Sequence, residues 1–309
     1  MYHKDHDHRP ISIRHLIGAL VILTNLIASS VVCSGRPVEE KVPVTVSVQW
    51  LNEHLKSPEV VVLHIATILR DYQNGHIEGA RFLWPGWLII SNETESTVPA
   101  DIKSVKEKLE ELGITNDSHI VLCGTSGNIN QVCRIYITLD NIGLAGRTSI
   151  LEGGFNEWVS SGGPVSSVTP AVKKGKIKVT QRGVFVDTDW VAGNLGNSQY
   201  FIIDARPKPG YDGIVGSQRQ GHVPGARNLP SSTLYDSKTY HFLPADQLKE
   251  AFSGLQIPAG ARPVFYCGTG NSACPGYVAA VIAGFNPLLY DGSMEAWSSR
   301  LDLPVEKSK

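Results

Sequence analysis

The sequence has no surplus of basic residues: 28 lysines and arginines meet 29 aspartates and glutamates, for a formal net charge of −1. Nothing in that balance points to nucleic acid as a partner. Among five cysteines there is no CxxC or CxH spacing, which removes the common zinc ligand sets and the thioredoxin-type motif. A C-x5-R phosphoryl-binding loop is missing as well, because Ala273 stands six residues after Cys267 and Ile129 six after Cys123. Phosphate ester chemistry therefore lacks its anion ligand. Long apolar runs are scarce: the most apolar stretch, 16–32, "LIGALVILTNLIASSVV", is interrupted by Thr24 and Asn25. Its clean part is about a dozen residues, short of the ~20 that a spanning helix needs.

What is present begins with that stretch. Lys4, Arg9 and Arg14 precede it, so residues 1–35 read as a signal peptide and the protein as exported to a periplasmic or extracytoplasmic space. Cys33 follows at once, which leaves three fates for the leader: lipidation at Cys33, ordinary cleavage between Ser30 and Gly35, or retention as an anchor. Val32 is not the small residue that lipid processing favours. His3, His6, His8 and His15 lie in this leader and read as a solvated segment, with loose metal binding the alternative. If Cys33 is removed, Cys123, Cys133, Cys267 and Cys274 remain. An oxidising compartment permits disulfides, yet Cys267 and Cys274 flank one loop-helix junction and are awkward to bridge. At least one thiol is then available for chemistry.

With 309 residues, 42% of them hydrophobic, the chain is long enough for two domains, and internal similarity shows how they are arranged. "GHIEGARFL" at 75–83 recurs as "GHVPGARNL" at 221–229, and "ILEGGFNEW", ending at Trp158, recurs as "LYDGSMEAW", ending at Trp297. Between these markers each half has an apolar strand and a cysteine, "HIVLCGTSGN" and "PVFYCGTGNS". Both halves alternate strands with amphipathic helices. Short, continuous apolar strands of this kind imply an α/β fold with two tandem units, each a small parallel sheet covered by helices on both faces. The expected boundaries are 43–163, a Pro-, Ser-, Thr- and Lys-bearing linker at 164–180, and 181–307.

The order of "FIIDAR", "GHVPGARNLP", a cysteine loop after a strand and the closing "YDGSMEAW" resembles the rhodanese family in its two-domain form, over about residues 43–306. The loop "CGTGNSAC" is similar to the mercaptopyruvate-type pattern C-G-[S/T]-G-V-T-A. The resemblance implies a sulfurtransferase in which Cys267 takes a sulfane sulfur from thiosulfate or 3-mercaptopyruvate. The resulting persulfide passes it to cyanide, a small thiol or a protein thiol, and no metal or organic cofactor takes part. Such a thiolate needs positive potential, which a strand end curling into a helix N-terminus supplies through backbone N–H groups. Gly268, Thr269, Gly270 and Asn271 are expected to line the substrate site, the glycines allowing the tight turn and Thr269 supplying a hydroxyl, and Ser272 either assists proton movement or caps the helix before Ala273.

Asp204 and Arg206 match the family's Asp-x-Arg and are expected to brace the loop, with direct contact to the substrate the alternative. Where the family often places an arginine that grips the donor's anionic group, this chain has Gly210. Arg219 is either its replacement or a solvated loop arginine, and His222 and Arg227 hold the following turn and strand. The first half departs further, with His64 in place of the acidic residue and a loop after Cys123 read as longer, so it is expected to be non-catalytic, with Cys123 either a buried small hydrophobe or a relay or second site for sulfur. Cys133 reads as core. Two rivals stand beside the enzyme reading. A G-x-G-x-x-A string at Gly268–Ala273 followed by Asp291 mimics a dinucleotide fingerprint, but too little chain remains to complete such a fold. A non-catalytic persulfide carrier would use the same loop without turnover.

Overall fold

The computed structural model describes residues 42–93, 95–125, 129–215 and 219–308; the leader, with segment 16–32 and Cys33, lies outside them. Two parallel five-stranded sheets are built in the same spatial order. Across the first run Thr45–Val46, Thr148–Leu151, His119–Gly124, Val60–Ile65 and Arg81–Leu83. The second has Phe185–Val186, Leu288–Tyr290, Arg262–Tyr266, Tyr200–Asp204 and Arg227–Asn228. Central strands are mostly apolar because helices cover both faces, with His64 and Asp204 among the buried polar exceptions. Residues 167–184, between the halves, form no helix or strand, but Ile177 and Val184 are buried and tie this segment to the core.

The inner faces of both sheets share one apolar cluster. Leu63, Ile120 and Leu122 from the first and Ile203 and Phe265 from the second meet the helices Ile129–Asn141 and Cys274–Ile282 there. Each outer face has its own cluster around a fully buried tryptophan, Trp158 or Trp297. Their indole N–H groups donate to Pro164 O at 3.0 Å and Pro304 O at 2.8 Å, so both buried donors are satisfied. The repeated "GH…GAR" motif is likewise a brace. Tyr72 stacks on His76 and Tyr211 on His222, each pair at 3.8 Å between ring centres, and the tyrosine hydroxyls donate to Ala80 O and Ala226 O. Arg227 opens a two-residue strand and is exposed.

Strand register corrects the equivalence of the two cysteines. Cys123 pairs across the sheet with His64, whereas the residue paired with Asp204, which stands at the place of His64, is Tyr266. The neighbouring strand agrees, with Leu122 opposite Ile150 and Phe265 opposite Leu289. Gly124, not Cys123, therefore occupies the place of Cys267. Because side chains alternate along a strand, this one-residue difference reverses the face: Cys123 joins the outer cluster with Trp158, while Cys267 joins the inner one. The first loop is also shorter rather than longer, since its helix resumes at Ile129, five residues after Gly124, against Cys274, seven after Cys267.

Candidate active site

Cys267 follows directly on the strand Arg262–Tyr266 and is fully buried. All four cysteines among the described residues are free thiols. The loop Gly268–Ala273 leads into the helix Cys274–Ile282, which has Pro275 in its first turn, where a missing N–H costs nothing. Ala273, not Ser272, is the N-cap residue and makes no side-chain cap. Ser272 is exposed on the loop surface and Asn271 half-buried. Gly270 has φ +84°, and a Cβ there would run into the backbone oxygen and carboxylate of Asp291. Only glycine meets both conditions.

No backbone N–H of Gly268–Ala273 makes a hydrogen bond to Cys267 Sγ in the described structure, so the expected amide cradle is not closed on the bare thiol. The group that does reach it is Ser293. Its hydroxyl lies 4.0 Å from Sγ, accepts the Cys267 N–H at 3.0 Å and donates to Tyr290 O at 3.0 Å. Ser293 holds this position at φ +52°, an uncommon conformation for a residue with a side chain. Gly154 takes its place in the first half at φ +56°, and a Cβ there would strike Gly124 O. In the sequence Ser293 has no motif of its own within "YDGSMEAW"; its only signal is the contrast with Gly154 in "EGGFNEW".

Asp204 is fully buried at the end of its strand. Its carboxylate accepts from Arg206 Nε and Nη2, from the Arg206 backbone N–H, and from the Tyr266 hydroxyl at 2.7 Å. Burial, reinforced by Asp204, pushes the Tyr266 phenol well up, so it remains a donor. Arg206 Nη2 also reaches Gly221 O at 2.7 Å, which anchors the turn before His222.

A cavity of about 630 Å³ opens beside the loop. Its lining includes Gly268, Thr269, Arg206, Arg219, Gly210 and Glu295. Arg219 is not a solvated loop residue: Nη1 donates to Arg300 O at 2.7 Å and Nη2 to Leu303 O at 2.6 Å. Gly210 leaves ordinary van der Waals room beside Arg206.

The first half supplies supports that its sequence did not reveal. Arg134, fully buried on the helix Ile129–Asn141, forms a two-point ion pair with Asp291, in which Nη2 and Oδ2 are 2.6 Å apart. That partner offsets burial and holds the guanidinium charged. Asp291 is thus committed to Arg134 rather than free to bind a ribose. Cys274, beside Arg134, donates its thiol to Gly270 O at 3.2 Å; burial nonetheless raises its pKa. Thr97 donates to Thr269 O at 2.6 Å, and Ser96 donates to both oxygens of Glu295. Conversely, the second half covers the first. Tyr240 lines a cavity of only about 20 Å³ with Gly124 and Gly154, and His241 meets Glu157 at 2.5 Å. Burial pushes the thiols of Cys123 and Cys133 up, as suits core residues.

A family model described as Rhodanese-like domain matches twice, over residues 47–161 and 187–300. Over 283 residues the chain is 28% identical to 3-mercaptopyruvate sulfurtransferase of Escherichia coli (strain K12), an alignment spanning 85% of this chain and 98% of that protein. It is 27% identical to the sulfur carrier protein TtuD of Thermus thermophilus, covering 86% and 97%. The crystal structure of SseA from Escherichia coli superposes with a TM-score of 0.69 at 25% identity, over 82% of this chain and 99% of that one.

Proposed function

The chain belongs to the rhodanese family, carries its domain twice and is a sulfurtransferase, and from that premise we propose that Cys267 carries a sulfane sulfur from thiosulfate or 3-mercaptopyruvate to cyanide or a thiol. The observation that carries this reading is the placement of a free thiol at a strand end, bounded by Ser293 and next to a cavity that contains two arginines.

In the first step the Cys267 thiolate attacks the outer sulfur of the donor. A new S–S bond forms, the donor's bond to that sulfur breaks, and sulfite leaves thiosulfate with the bonding pair. With 3-mercaptopyruvate the C–S bond breaks and the carbon takes up a proton to give pyruvate. The persulfide's terminal sulfur lies about 2 Å beyond Sγ, within the loop formed by residues 268–273. Full burial of Sγ supports this reading, because it limits access by water and stray thiols. Ser293, rather than exposed Ser272, has its hydroxyl 4.0 Å from Sγ, and donates to the sulfur when its proton turns from Tyr290 O. Arg219, with Arg206 neutralised by Asp204, is the cation available for an anionic donor.

In the second step cyanide attacks the terminal sulfur, thiocyanate leaves and the Cys267 thiolate is restored. Cyanide-dependent thiocyanate formation with each donor tests the proposal: turnover in wild type and Cys123→Ser, with none in Cys267→Ser, is expected. Equal turnover in Cys267→Ser would overturn it. A second reading, a persulfide carrier without turnover, draws support from Gly210 in place of an anion-gripping arginine and from the similarity to TtuD. It predicts a persulfide on Cys267 without thiocyanate.

A further inference from the structure

The cavity beside the cysteine loop is lined by charges of both signs, Arg206 and Arg219 together with the carboxylate of Glu295. Glu295 lies in the first turn of the helix Ser293–Ser299, and its backbone N–H donates to Gly268 O at 2.8 Å. This bond fixes Glu295 to the residue that follows Cys267. Its carboxylate is aimed by the other half of the molecule: the Ser96 N–H donates to Oε2 at 2.8 Å and the Ser96 hydroxyl to Oε1 at 2.5 Å. Among the described residues no lysine, arginine or histidine pairs with it. Other carboxylates gather on the same side, where burial and then Asp291, Glu295 and Asp187 raise the pKa of Glu95. Arg219, which lines the same cavity, donates to two neutral carbonyls.

A carboxylate held on a largely apolar cavity wall without a counter-ion gains when a cation arrives. It repels a second anion by the same physics. Sulfite and pyruvate leave as anions, so Glu295 serves neither donor. We propose that Glu295 selects the sulfur acceptor, favouring a small thiol that carries an ammonium group; the inference rests on the sulfur-transfer reading above. About 630 Å³ is within the usual range for a small-molecule site and accommodates an aminothiol alongside the persulfide. The acceptor sulfur bonds to the terminal sulfur of Cys267–S–S⁻, and the bond to Sγ breaks with its electron pair left on Sγ. The acceptor's proton ends on the transferred sulfur, giving R–S–SH and the Cys267 thiolate, so atoms and charge balance. Where the acceptor also has a carboxylate, Arg219 in the same cavity is the group to receive it.

The test uses the full chain loaded with thiosulfate or 3-mercaptopyruvate and freed of excess donor, with the persulfide counted by cyanolysis. Its decay is then followed with cysteamine and with 2-mercaptoethanol, and every rate is normalised to the persulfide present. In wild type the half-saturating concentration of cysteamine is expected to be about tenfold the lower, and Glu295→Gln should remove most of that ratio. Glu295→Lys should turn preference towards 3-mercaptopropionate. Persulfide that forms but decays with the same ratio in wild type, Glu295→Gln and Glu295→Lys would overturn this inference alone. No persulfide on the wild-type chain would overturn the sulfur-transfer reading and this one with it.

Discussion

At the scale of single residues, the two halves differ most where they are aligned most closely. His64 stands where the second half has Asp204, fully buried, with both ring nitrogens lacking a hydrogen-bond partner. Burial, with a smaller contribution from His76, lowers its pKa from 6.5 to about 4. His64 is therefore neutral in the folded chain, while the unfolded chain binds a proton below about pH 6.5. Stability is complete above that pH and is lost as the pH falls towards 4, by about 3 kcal/mol in all. Urea unfolding between pH 7 and pH 4 should show this loss, and His64→Leu should flatten it; an unchanged slope in that variant would exclude His64 as the source. The same residue explains what a linear reading could not see. "VVLHIA" reads only as divergent, because sequence does not say whether a buried imidazole finds a partner. The resemblance to mercaptopyruvate-type loops points to Ser272, whereas Ser293 comes near Sγ through the turn after the next strand.

At the scale of elements, alternating apolar runs and glycine stops were sufficient to place the sheets and their helices. Gly113 and Gly143 do end their helices with positive φ. Register was not legible, since a shared "CGT" invites alignment of Cys123 with Cys267, and only pairing to neighbouring strands places Gly124 there. Loop length failed for a related reason: Pro275 delays the second helix until Cys274. The conformation of this loop yields a direct expectation. Gly270→Ala should cost on the order of 1–3 kcal/mol in local strain and lower thiocyanate turnover at least about tenfold, because the loop shifts away from Asp291. Gly268 has open space around it and an ordinary φ, so Gly268→Ala should retain most activity. Equal rates in the two variants would show that loop conformation does not govern turnover.

At the scale of the whole molecule, the halves are interlocked through contacts that no sequence motif announces. Arg134 and Asp291 are 157 residues apart, and their pairing requires both folded sheets. Replacing Arg134 by Met leaves a buried carboxylate unpaired and should destabilise the chain by about 3–5 kcal/mol, while Arg134→Met with Asp291→Leu should recover most of the loss. Denaturant midpoints of the single and double variants check this. The interlock also suits a duplicated chain in which, as proposed, only the second half carries sulfur: the first half supplies Arg134, Ser96 and Thr97 to the second, Gly124 stands at the register position of Cys267, and Tyr240 closes the space beside it. The most direct test of this account is peptide mass spectrometry of the full chain after incubation with thiosulfate or 3-mercaptopyruvate. One added sulfur atom on the peptide containing Cys267, and none on the peptide containing Cys123, is the result it predicts; added sulfur on Cys123 with Cys267 unmodified would contradict it.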